Sequence, residues 1–198
     1  MRHSPKLILA TLLVAAAFLA GCGQSAKTSN FPLTIVPSTG SATFTDNFNP
    51  YQLSTADGGT FGFIYEPLMA INSIDSSKIS PWLAKSYKWN ADFTQLTFTL
   101  RNDVKWSDGK PFTSADVLYT FQTAITVNGA DANGIKSYIK DVSAPDANTF
   151  VVDFNTTSPL QFFNIAGHTP IVPRHIFSTY SDPVKNTNTN PVGTGPLW

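Results

Sequence analysis

The chain has 198 residues with 13 Lys and Arg against 13 Asp and Glu, and only 13% of it is charged. That balance argues against a nucleic-acid partner and against a polybasic membrane-binding patch. Hydrophobic residues at 42%, including 15 Phe, are ample for a globular core.

Arg2 and Lys6 precede an apolar stretch from Leu7 to Ala20 that ends in Leu19, Ala20, Gly21 and Cys22. A charged start, a short apolar run and small residues before a cut mark residues 1–21 as an export signal, since a membrane span needs about 20 apolar residues. Its removal takes two bases and no acid, leaving 11 against 13. Cys22 is the only cysteine, so no intrachain disulfide is possible. Residues 22–30 are small and polar, the composition of a flexible tether.

Structure is expected from Phe31, with a strand to Val36 and a turn at Asn47, Phe48, Asn49, Pro50 and Tyr51, because proline biases its predecessor away from helix. Gly58 and Gly59 lead into a short predicted helix through Phe61, Ile64 and Tyr65, and Glu66 to Ile71 reads as a strand. Residues 82–89 and 95–100 are expected to pair as a hairpin around Asn90 to Thr94. Leu96, Phe98 and Leu100 alternate with Thr97, Thr99 and Arg101, the period of a half-buried strand. Ser107, Asp108 and Gly109 supply a turn, and Thr113 with Asp116 forms a capping box that opens a helix to about Ile125, with Val117, Leu118, Phe121 and Ile125 on one face. A second helical segment is expected near Ile135 to Ile139. Two strands follow, at Val142 and at Phe150 to Phe154. Ser158 and Pro159 start a further helix whose Leu160, Phe163, Ile165 and Ala166 pack inward. Trp82, Trp89 and Trp106 are assigned to the core.

Residues 81–84 (Pro-Trp-Leu-Ala) together with the run from Leu96 to Val117 resemble the solute-binding proteins of oligopeptide-type ABC transporters, solute-binding protein family 5. The sequence around Cys22 likewise resembles a bacterial lipobox. The resemblance implies an α/β fold, type II periplasmic-binding-protein-like, of which this chain carries the N-terminal lobe only. Gly193, Thr194, Gly195 and Pro196 match a motif that lies inside the first lobe of the family, so the chain reads as an N-terminal fragment. Residues 31–66 and 168–198 would then form part of a first subdomain and residues 67–167 an inserted second one.

The implied function is to capture peptides, oligosaccharides, nickel chelates or related solutes outside the membrane and deliver them to ABC permease subunits. The protein would be held to the membrane by a lipid on Cys22. The loop carrying Asn47, Phe48, Asn49 and Tyr51 faces the ligand cleft in the family, and Phe61 and Tyr65 are further candidates. A packed turn explains the first four equally well, and aromatics four apart on a helix often belong to a core. No catalytic or metal-binding set stands out: Glu66 is the only glutamate, His168 and His175 lack partners at triad or ligand spacing, and the turn and cap explain Asp108 and Asp116. No cofactor is expected. The alternatives to a transport receptor are a secreted lipoprotein hydrolase completed by further residues, or a surface adhesion module.

Overall fold

The computed structural model describes residues 46–52, 60–72, 74–75 and 78–196, all within the unit Ile35–Trp198. The expected signal, the tether, Cys22 and the strand at Phe31 to Val36 lie outside the described residues.

A two-stranded antiparallel ribbon pairs β1 (Met69–Asn72) with β2 (Lys78–Pro81). The main sheet holds β3 (Ala84–Trp89), β4 (Gln95–Leu100), β5 (Ile139–Asp146) and β6 (Thr149–Phe154), all antiparallel, in the order β3-β4-β6-β5. The alternation expected along β4 is present, with Leu96, Phe98 and Leu100 buried, and β6 repeats it with Phe150, Val152 and Phe154. The register sets Phe98 opposite Phe150 and Leu96 opposite Val152, so the two apolar rows form one face. Helix α1 (Ser114–Thr126) covers that face, and Phe121 packs on Phe150 with ring centroids 4.9 Å apart. Burying each such ring contributes about 1.5–3 kcal/mol.

The helix begins where the capping box placed it. The Asp116 carboxylate accepts from the Thr113 backbone N–H at 2.9 Å. Its buried face differs from the apolar stripe: Val117 and Phe121 are buried, whereas Leu118 and Ile125 are only partly so, and Asp116, Thr120 and Thr123 are buried beside them. The return segment explains this. Arg174 N–H donates to Asp116 Oδ1 at 2.9 Å and Val172 N–H to Thr120 Oγ1 at 3.1 Å, so the polar groups on the helix satisfy backbone donors of that segment. That segment leads into the single turn α2 (Arg174–Phe177).

Four local expectations need correction. Thr60–Ile64 is a kinked turn, because Phe61 is extended (φ −90°, ψ 128°) and Gly62 takes φ 84°. The segment at 135–139 is one tight turn, Ile135–Ser137, and Ile139 already belongs to β5. Ser158 does not cap the turn Pro159–Gln161; its hydroxyl donates to the Thr156 carbonyl instead, and Leu160 is 82% exposed. Trp106 is buried and Trp89 partly so, but Trp82 is 41% exposed, since it stands at the bend between β2 and β3 rather than within the hairpin.

Candidate functional site

The loop 46–52 is fastened to the segment 183–188 by side-chain amides. Asn49 is fully buried, and its Nδ2 donates to the carbonyls of Pro183 at 2.7 Å and Asn186 at 2.5 Å. Its Oδ1 accepts from the Tyr51 N–H, and Asn47 Oδ1 accepts from the Asn49 N–H. Phe48 N–H donates to the Thr187 carbonyl at 3.0 Å, and Asn188 returns a bond from Nδ2 to the Phe48 carbonyl at 3.2 Å. Asn188 also donates to the Tyr65 hydroxyl at 2.6 Å while holding a left-handed backbone at φ 49°. Asparagine tolerates that conformation better than most residues, which suits it to this corner.

The six sequence candidates therefore separate. Asn47 and Asn49 are buried in the frame with their amides engaged by the protein, and Phe48 packs partly buried against the core. Tyr65 is fully buried, edge-on to Phe177 with centroids 6.0 Å apart. Tyr51 and Phe61 come together on the wall of a cavity of about 200 Å³. Its other walls are Pro50, Thr120, Ala124, the loop Ala130–Asn133, Ile135, His168, Thr169 and Pro170. Tyr51 is 9% exposed and Phe61 40%, so one forms the floor and the other stands at the rim.

The cavity is close to neutral. Burial pushes the Tyr51 hydroxyl well above its ordinary value, so it stays protonated. Asp131 is the single acidic lining residue among the described residues, and its carboxylate accepts the Ile135 N–H at 2.7 Å and the Lys136 N–H at 3.0 Å, which ties it to its own turn. Asn133 Nδ2 donates to the His168 carbonyl at 2.8 Å and joins that turn to the return segment. Such a hollow suits an uncharged or apolar group. The sequence reading weighed His168 only for catalysis or metal binding and missed the 130–135 loop, whose signal was Gly129 and Gly134, both with positive φ.

The model of the bacterial extracellular solute-binding proteins, family 5, matches residues 78–196. This chain belongs to that family. Its fold is accordingly a mixed α/β lobe of the type II periplasmic-binding-protein kind, and the family consists of extracytoplasmic binding proteins rather than enzymes. A Brucella ovis protein carrying the provisional name ABC transporter peptide-binding protein is 30% identical over 159 residues, covering 78% of this chain and 29% of the relative. An uncharacterized protein of Sinorhizobium fredii is 30% identical over 158 residues, covering 76% of this chain and 24% of its own length. Among solved structures, a periplasmic oligopeptide-binding protein of an oligopeptide ABC transporter from Thermotoga maritima superposes with TM-score 0.70 at 31% identity, over 76% of this chain and 28% of that one. The same protein has been solved with bound mannohexaose. The chain thus spans about a quarter of the length of the relatives it matches.

Proposed function

We propose that this chain is part of the solute-binding component of an ABC import system, which captures peptides or related solutes outside the membrane and hands them to a permease. The family match across residues 78–196 carries this reading, and the near-neutral cavity beside Tyr51 and Phe61 is the part of the lobe that meets solute. In this reading Asn47, Phe48, Asn49 and Tyr65 set the position of that wall, and Tyr51 and Phe61 touch the ligand.

A receptor of this kind closes when both lobes gain contacts with one ligand, since only differential affinity shifts a conformational equilibrium. Residues 31–66 and 168–198 form one subdomain and 67–167 the other. The hydrogen bond from Ile171 N–H to the Glu66 carbonyl, 3.0 Å, supports placing the stretches near Glu66 and Ile171, where the chain passes from one subdomain to the other, side by side. A lipid on Cys22 holds the protein at the outer face of the membrane, where two or more acyl chains give firm attachment.

Calorimetry tests the reading. The full-length product binds its solute, and Tyr51→Ala or Phe61→Ala weakens that binding about tenfold, the scale of one lost aromatic contact. Residues 22–198 by themselves bind weakly or not at all; micromolar affinity of this segment for a peptide overturns the two-lobed reading. Mass spectrometry of the mature amino terminus tests the anchor, and an unmodified end at a residue other than Cys22 removes it.

A further inference from the structure

A second hollow adjoins the first. It measures about 280 Å³, with strand β1 (Met69, Ala70 and Ile71) along it and Phe61, Trp82 and His168 at its sides. Phe61 and His168 line both hollows, so the two lie side by side with these residues between them. The half-exposed rings of Phe61 and Trp82 are otherwise unexplained. Singly exposed aromatics are ordinary on a protein surface, but here two of them border the same groove.

The lining decides the chemistry of the occupant. Among the described residues no Asp, Glu, Lys or Arg lines the second hollow, and in the first the Asp131 carboxylate is spent on backbone amides. Among the described residues these walls offer no free charged side chain to the terminal ammonium or carboxylate of a peptide. A flat indole or phenyl face instead suits the C–H face of a pyranose ring, an apolar surface that needs no charge partner, while the imidazole of His168 can exchange hydrogen bonds with ring hydroxyls. A site of two hollows in series fits a ligand built of repeated rings.

We propose that the β1 groove between Phe61 and Trp82 is a second subsite that takes one pyranose unit of an uncharged oligosaccharide whose neighbouring unit occupies the Tyr51 cavity. This rests on the ligand-facing role given above to that cavity. The ring stacks on Trp82, and Phe61 and His168 form the saddle over which the chain passes.

Nuclear magnetic resonance of the full-length product, labelled with nitrogen-15, reads both hollows separately and detects millimolar binding. The Trp82 indole N–H is identified by its loss in W82F. With mannohexaose as the probe, the Trp82 indole and the backbone amides of Ala130 and Asn133 all shift, and tetra-alanine at equal concentration leaves Trp82 unmoved. Shifts at Ala130 and Asn133 with a stationary Trp82 overturn the subsite and leave the cavity's role standing. An equal response of Trp82 to tetra-alanine overturns the sugar assignment. Silence of both hollows toward both probes overturns the ligand-facing role and the subsite together. In W82A the mannohexaose dissociation constant read from the Ala130 amide rises about tenfold; a constant unchanged within twofold also sinks the proposal.

Discussion

Single side chains hold the separate runs of this lobe together, and Asn49 is the clearest case. One amide group satisfies carbonyls of Pro183 and Asn186 while its oxygen takes the Tyr51 N–H. Asn49→Ala leaves these groups buried and unpaired, at about 1–3 kcal/mol for each that water cannot reach. The variant is expected to lose about 2–4 kcal/mol in urea unfolding. A loss below about 0.5 kcal/mol, the scale of an ordinary surface substitution, refutes the frame assigned to it. The sequence pointed to this residue, but its Asn-Pro context is equally that of a ligand loop and a packed turn, and only the position of residues 183–188 tells where its amide goes.

Asp108 supplies a second test at this scale. Partial burial works against its charge, but the Lys110 N–H and the His175 ring, the latter at 2.7 Å, hold its carboxyl below the ordinary value of 3.8. A depressed acid contributes stability that is present above its unfolded pKa and lost as pH falls through the folded value. Melting temperature therefore drops below about pH 4, and Asp108→Asn flattens part of that acid limb. An acid limb identical in the variant contradicts the assignment. Turn chemistry alone announced Asp108; its partner lies 67 residues along the chain, beyond any local pattern.

Among the elements, α1 shows how a cap can serve two purposes. Asp116 closes the capping box and also accepts from Arg174 N–H, with the Trp106 indole N–H near at 3.4 Å. Removing Thr113's side chain loses a cap alone, about 1 kcal/mol, whereas Asp116→Ala strands several buried donors and costs about 2–4 kcal/mol. Equal losses in the two variants, measured by denaturant unfolding, argue against the double role. The S/T-x-x-D spacing made the helix start readable because capping is local. The same sequence misplaced the buried face, since Thr120 and Thr123 look solvent-facing until the return segment arrives.

The kinked turn Thr60–Ile64 makes the same point. Thr194 N–H and Gly195 N–H both reach the Ile64 carbonyl at 3.1 Å, and a Cβ at Gly193 would sit 2.2 Å from that oxygen. Gly193→Ala must push backbone from backbone and is expected to lower stability by about 2 kcal/mol or more, with Gly109→Ala, at a positive φ in open space, costing about half as much. The reverse order in thermal melts contradicts this packing. The Gly-Thr-Gly run signalled a constrained backbone, but not which backbone it approaches.

For the whole molecule, the β4 to α1 run identified the family while its buried residues serve the core, and the candidate ligand wall came from three distant stretches. Tyr51, Phe61, Ala130 and His168 share no period or motif. What the sequence alone determined is what neighbours along the chain decide: alternation in β4 and β6, the turn at Asp108, the start of α1, and the family that this wording marks. Tertiary structure decided which polar groups are buried, which aromatics stay exposed, and which candidates stand in a hollow. The reason is physical: capping and alternation are set over a few residues, whereas burial and cavity shape depend on segments more than a hundred residues apart in sequence, such as Asn49 and Asn186.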